Sequence, residues 1–358
     1  MILTLAETVF AVSPYIPAKL ISGKNLRHIR EIASHLPGAI ASFWGFECRL
    51  GESAPQGDFL ICLKAEEEGR ALVAGTHDSI ELSESLRSHS VWNLAGNFGR
   101  HWVDPTSPIY EKVDNMWLEF DVDGEPPAIP IPSLFFGCSP TQVENTGITL
   151  AKAEPESHEW VTETALKILL GDSLSGEIAQ NLRQCLGALP PEAYVFQIGL
   201  MLARKAETIR LCIRNISGKD IIVYLEKIGW TGAIDFLQAT VSELASFTDC
   251  IHLDLDVGNG VLPKIGLECY IEGQPRSEPK WAAFLSYLVE VGLCLPDKRD
   301  ALMGCPRYIG VCSDRLGPRK WSDFVMGLHH IKMVWEGDRI LQAKGYIYIN
   351  HSWMPTGS

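Results

Sequence analysis

The chain has 358 residues and a mass of 39.6 kDa, a length that suits one large domain or two ordinary ones. Hydrophobic residues make up 46% of it, enough for a well-buried core. A formal net charge of −13 excludes a general nucleic-acid binder, because such proteins gather surplus Lys and Arg.

The first residues, MILTLAETVFAVSPYIPAKL, are apolar but carry Glu7 early and lack a basic start, which argues against a signal peptide. No run of about 18 apolar residues exists for a membrane helix. Helical patterns are expected at 24–36, 83–101, 159–170 and 175–187. In the second half, Ser217 with Asp220 makes a capping pair, Ile221, Tyr224, Leu225 and Ile228 form a stripe, and Gly229 supplies the stop. Further stripes are Leu237, Val241 and Leu244 within 232–247, then Trp281, Leu285 and Leu288 within 278–294.

Strand pairs lie between these helices, near 39–50 with 58–64, 115–122 with 128–137, 194–201 with 207–215, 250–257 with 263–272, and 329–336 with 340–350. Their connections are too short for a parallel crossover, so each pair is an antiparallel hairpin. The order helix-helix-strand-strand recurs about five times. The loosest stretches, 51–57, 66–80, 138–156 and 305–320, do not resemble domain hinges, so a single domain over 1–358 is expected. The predicted fold is α/β: a closed antiparallel barrel of about ten strands ringed by helices, since closure removes exposed sheet edges. An open sheet with its polar face in water is the alternative.

Strand side chains alternate between faces, so each strand has an apolar and a polar side. Ile209, Leu211 and Ile213 oppose Arg210, Cys212 and Arg214. Met116, Leu118 and Phe120 oppose Asn115, Trp117 and Glu119, and Ala343, Gly345, Ile347 and Ile349 oppose Lys344, Tyr346, Tyr348 and Asn350. With the apolar sides under the helices, the polar sides line the interior. That interior would hold Arg49, Lys64, Arg210, Arg214, Lys264, Lys332 and Lys344. Converging Lys and Arg suit a diphosphate. Tyr270, Tyr346 and Tyr348 accompany them, and aromatic faces shield a carbocation from water. Together they fit ionisation of an allylic diphosphate.

With Arg210-x-Cys212-x-Arg214, Lys264-x-Gly266-x-Glu268-x-Tyr270 and Lys344-x-Tyr346-x-Tyr348 on strands in this order, the chain resembles the prenyltransferases of the ABBA (α-β-β-α) barrel fold. The stretch 265–273, IGLECYIEG, looks like the cyanobactin-type peptide prenyltransferases in particular. The resemblance implies transfer of a prenyl group, dimethylallyl by expectation, from its diphosphate to a peptide side chain or small aromatic acceptor in natural-product biosynthesis. It implies that Glu47, in FWGFECRLG, takes the acceptor's proton, with Arg49 beside the diphosphate; Glu119 is the second candidate base. The chain departs from the pattern in PAIPIPSLFFG, which lacks a cation, and at Cys212, where lysine is common. A non-catalytic ligand- or peptide-binding barrel, or a cyclase acting on a related substrate, is the rival reading.

No tightly bound cofactor and no metal centre is expected, and D-D-x-x-D does not occur. Asp254 and Asp256 share a strand face and could hold Mg²⁺ against a diphosphate. Adjacent strand residues face opposite ways, so His329 and His330 are not expected to meet at one ion. The ten cysteines include no C-x-x-C and read mostly as buried free thiols of a cytoplasmic protein. No nucleic-acid or membrane partner is expected.

Overall fold

The computed structural model describes residues 4–125, 127–138, 159–171, 175–204, 206–312 and 321–354. Helices α1 (Leu5–Val12) and α2 (Gly23–Ser34) precede the hairpin β1 (Phe43–Arg49) and β2 (Gly57–Lys64). Next come α3 (Glu68–Ala74), α4 (Glu84–Arg87), α5 (Ser90–Val103), β3 (Val113–Phe120) and β4 (Ser133–Cys138). A π-turn at Val161–Ala165 leads into α6 (Leu166–Leu170) and α7 (Gly176–Gly187), then β5 (Tyr194–Leu200) and β6 (Ile209–Arg214). The fourth unit is α8 (Gly218–Lys227), α9 (Ile234–Leu244), β7 (Cys250–Val257) and β8 (Val261–Tyr270). The fifth is α10 (Lys280–Glu290), α11 (Pro296–Met303), β9 (Arg307–Cys312), β10 (Trp321–Glu336) and β11 (Arg339–Met354). Parts of the loose stretches 138–156 and 305–320 lie outside the described residues.

Strands β1 to β8 pair in sequence order, β8 pairs with β10, β10 with β11, and β11 with β1. That circuit is a closed antiparallel barrel of ten strands. Closure leaves each of these strands paired on both sides, which answers the edge problem that the short hairpins pose. The expected hairpins are all present, with one addition. Strand β9 falls in a stretch read as loose; it pairs with Trp321–Met326 of β10, while β8 pairs with Ile331–Glu336. Strands β10 and β11 reach 16 residues each, longer than expected, because their outer halves pair with each other and β9 beyond the barrel.

The predicted helix stripes are buried: Ile221, Leu225, Leu237, Leu244, Trp281, Leu285 and Leu288 are fully covered. Helix α8 starts where the Ser217 side chain accepts from the Asp220 amide at 3.2 Å, and stops before Gly229, whose φ of +78° suits the left-handed region. The outward sides of the strands meet this ring. Trp44, Phe46, Phe59, Phe120 and Phe136 are at most 1% exposed, and the Phe98 ring of α5 lies 5.1 Å from Phe136. The principal core is therefore a cylinder between sheet and helices, which leaves the barrel interior for other side chains. Among the described residues, no helix is long and apolar enough to cross a membrane.

Candidate active site

The barrel encloses a cavity of about 650 Å³, lined by the polar sides of the strands. Register fixes the height of each residue along the barrel. Lys344, Tyr346 and Tyr348 of β11 stand across from Arg49, Glu47 and Gly45 of β1, and His330 and Lys332 of β10 from Tyr346 and Lys344. On the opposite wall, Arg210 of β6 stands across from Asp256 and Cys212 from Asp254 of β7.

The end of the barrel near the hairpin turns holds Arg210, Lys264, Lys332 and Lys344, four of the predicted cations, with Glu47 and Glu119. Arg204 joins them from the turn between β5 and β6 and makes bonds of 2.9 and 2.5 Å to Asp121. It was missed because it follows a strand and shows no alternation. Arg210 grips Asp256 through two parallel bonds of 2.8 and 2.9 Å. Lys332 bonds Asp254 and lies 3.6 Å from Glu268. Lys344 donates to Glu47 at 2.5 Å, and Tyr346 donates to the other oxygen of the same carboxylate. Lys264 alone of the four has no acid within ion-pair distance among the described residues. Gly266 makes room for this network: a Cβ there would come within 2.5 Å of Lys332 Cε and 3.2 Å of Asp254.

The other predicted cations do not join this group. Arg49 is absent from the cavity wall; it bonds Asp123 at 3.1 and 3.3 Å and lies 3.6 Å from Asp58. Lys64 and Arg214 line the cavity at its far end. Lys64 pairs with Glu67 at 3.2 Å and lies 5.8 Å from the Phe43 ring centre, and Arg214 stacks on Phe196 at 3.9 Å. The expectation of one cluster of seven fails because strands rise ~3.3 Å per residue, so four steps from Arg210 to Arg214 span ~13 Å. The expectation of a positive interior needs the same correction. Seven Lys and Arg line the cavity, but so do seven Asp and Glu (Glu47, Glu66, Asp114, Glu119, Asp254, Asp256 and Glu268). Charge here is balanced and largely paired, not in positive excess.

Between the two ends lies an aromatic belt. The imidazole of His330 is stacked between Tyr346 and Tyr270, with ring centres 4.1 and 4.7 Å away. Tyr348 stacks on Phe43 at 5.6 Å and lies against Gly327, where a Cβ would meet its ring at 2.5 Å. Trp117 and Phe135 complete the belt. His329 and His330 overturn the sequence expectation: a bulge between Leu328 and His330 turns both into the cavity, with their Nδ1 atoms 2.7 Å apart. A bulge is invisible to a period-two reading. Burial, then the neighbouring His329, pushes His330 far below the ordinary histidine range. Burial, then Arg214, brings His252 to about 3. Asp254 and Asp256, weighed as Mg²⁺ ligands, are held by Lys332 and Arg210. Among the described residues no group of three or more His, Cys, Asp or Glu is placed to hold a metal.

The two candidate carboxyls are driven apart. Burial opposes the charge of Glu47, but Lys344, the bond from Tyr346 and the field of Lys332 outweigh it and hold the carboxyl at about 2. Burial, then the Glu47 charge, pushes Glu119 up to about 7. One is thus an anion at neutral pH while the other retains much of its proton. Because the folded state raises the Glu119 pKa, its contribution to stability is complete below about 4.5 and is lost as pH rises through about 7. Glu119→Gln is expected to flatten that part of the pH–stability curve, read from urea midpoints between pH 5 and pH 8. An unchanged slope would place the titration elsewhere.

No family model matches the chain, and no curated protein matches it. Among solved structures it is similar to the prenyltransferase PriB, seen in a ternary complex with L-tryptophan and dimethylallyl thiolodiphosphate. That match has 11% identity and a TM-score of 0.50, covering 97% of this chain and 96% of the other. The chain folds as an ABBA barrel. AnaPT from Neosartorya fischeri is a second match at 11% identity, covering 92% of this chain and 85% of that one, with a TM-score of 0.46. At such identities the likeness to PriB is one of fold.

Proposed function

We propose that this ABBA barrel transfers a prenyl group, dimethylallyl in the first instance, from its diphosphate to an electron-rich aromatic acceptor, free or within a peptide. The observation that carries the reading is the meeting of Arg210, Lys264, Lys332 and Lys344 at one end of an aromatic-lined cavity that also holds Glu47. PriB, of the same fold, was crystallised with an analogue of that donor and an aromatic amino acid.

In this reading the diphosphate replaces carboxylates as the partner of Arg210, Lys332 and Lys344, Lys264 joins them, and Arg204 adds a fifth positive group. Lys264 offers the first contact, since no acid forms a close ion pair with it and only the field of Glu336, across from it on β10, supports its charge. Burial, then the field of Lys344, lowers its pKa, so an incoming anion stabilises its charge. The allylic C–O bond breaks with its electron pair leaving on the diphosphate, whose growing charge the cations stabilise. Tyr270, Tyr346 and Tyr348 shield the cation, with His330 inserted between two of them. Acceptor π electrons form the new C–C bond, and Glu47 orients the acceptor and takes its proton.

The test is incubation with dimethylallyl diphosphate and a panel of indoles and peptides, followed by mass spectrometry, with and without EDTA to decide any need for Mg²⁺. Gain of one C5H8 unit supports transfer. Diphosphate release without an adduct points to a cyclase or hydrolase, and neither outcome leaves a binding barrel. Lys264→Met should weaken donor binding ~10–100-fold by calorimetry, yet move the unfolding free energy by no more than ~0.5 kcal/mol, because it breaks no pair. Unaltered donor affinity would remove Lys264 from the site.

A further inference from the structure

Among the described residues, Glu119 is the donor-end acid that nothing holds. Glu47 accepts from Lys344 and Tyr346, Asp256 from Arg210, Asp254 from Lys332, and Glu268 from Tyr270 at 2.9 Å. Glu119 lines the same cavity with neither a hydrogen bond nor an ion pair. Its register neighbours, Leu60 on β2 and Ser133 on β4, carry no charge. The charges that act on it come from other walls of the hollow. Glu47 on β1 opposes its ionisation, while Lys332 on β10, Arg210 on β6 and Arg204 favour it.

Donor binding shifts that balance one way. A diphosphate held by Arg210 and Lys332 offsets the cations whose fields favour the charged form, and sets its own negative charge in the same space. Both effects drive a proton onto Glu119. A neutral carboxyl there donates a hydrogen bond to the diphosphate, where a carboxylate would repel it.

We propose that Glu119 is the acid that protonates the departing diphosphate, and that the proton Glu47 takes from the acceptor restores it. This rests on the prenyl-transfer reading and makes Glu119 an acid where the sequence offers a second base. As the allylic C–O bond breaks, its electron pair stays on the diphosphate oxygen, which takes the Glu119 proton. Acceptor π electrons form the C–C bond, and the C–H pair returns to the ring as Glu47 accepts the proton. Glu47, held at about 2, cannot keep it at neutral pH, and Glu119, at about 7, is by then the ionised and more basic carboxylate. Strands β1 and β3 flank β2, so their backbones lie ~10 Å apart, a gap that two inward-reaching glutamates and one water can cross. Both residues are restored, and the diphosphate carries the turnover's one released proton away.

The direction of the pH profile tests this. The kcat/KM for dimethylallyl diphosphate reports the free enzyme, so in wild type it should fall about tenfold per pH unit above about 7. A base would give the opposite slope. Asp58 and Asp254, each near 6, titrate below this limb. Glu119→Gln should lose ~10²-fold or more in kcat at pH 6.5 and flatten the limb, while Glu119→Asp, which keeps an acid, should keep it. A second readout needs no turnover: calorimetry of dimethylallyl thiolodiphosphate at pH 8 in buffers of different ionisation enthalpy. Wild type should take up about one proton more per donor than Glu119→Gln, and the glutamine variant should bind ~10-fold tighter there. A rising limb through 7, a falling limb that survives Glu119→Gln, or equal proton uptake in the two proteins overturns the proposal. Should no acceptor gain a C5H8 unit, the transfer reading fails separately. The calorimetric comparison then decides whether Glu119 meets the diphosphate as an acid, with equal uptake counting against it.

Discussion

Glu47→Gln is expected to reduce turnover ~10²–10⁴-fold, the usual contribution of a positioned proton acceptor, while donor affinity holds or improves. The reason is the double role of this carboxylate. It accepts from Lys344 at 2.5 Å and from Tyr346, so it both faces the cavity and occupies a cation that the donor needs. The amide cannot take a proton, but it no longer competes with the diphosphate for Lys344. The substitution leaves Lys344 without its acid, so the free variant should melt earlier than wild type, and added diphosphate should restore much of the loss. Single-turnover rates, donor calorimetry and melting curves with and without diphosphate check the three parts. Turnover within tenfold of wild type would reduce Glu47 to a partner of Lys344.

Lys332→Met is the second large effect, and it falls on stability. Burial disfavours the charge of Lys332, but Asp254 and Glu268 more than offset this and raise its pKa. The methionine fits the space yet strands two buried carboxyls beside each other, Asp254 being 2% exposed. Breaking one side of such a buried pair costs ~3–5 kcal/mol, to be read from urea denaturation. Burial, then Glu268, already pushes Asp254 up to about 6, and without Lys332 it should rise further. The variant's deficit should therefore grow from pH 5 to pH 8, where the stranded acids must ionise. Adding Asp254→Asn should recover part of the loss, because the two sites share one interaction. A loss below about 1 kcal/mol would mean that water reaches the pair. Lys264, with no buried acid in ion-pair contact to strand, supplies the contrast: its removal is read mainly in binding.

Much of the architecture was legible beforehand because its signals are local. Alternation in 207–215 and 342–350 assigns each side chain to a face, and short connections make hairpins. The capping of α8 by Ser217 and its stop at Gly229 were both readable from neighbouring residues. Strand β9 was missed because Arg307–Cys312 is brief and lies beside Gly304 and Pro306, which read as loop. Arg204 was missed for want of a strand to carry it.

The site divides along the same line. That Arg210, Lys332, Lys344 and Tyr346 point inward follows from period two, a property of the chain alone. Their heights in the barrel do not, because height depends on which residue of one strand meets which of the next. Register separated Arg214 and Lys64 from the other cations, and pairing with Asp123 and Asp58 drew Arg49 off the cavity wall. A bulge in β10 turned His329 and His330 the same way. The sequence by itself determined which side chains face the hollow, since alternation is built into each strand. Only the tertiary structure decided which of them meet, since pairing between distant strands and the balance of Lys against Asp and Glu exist only once the barrel has closed.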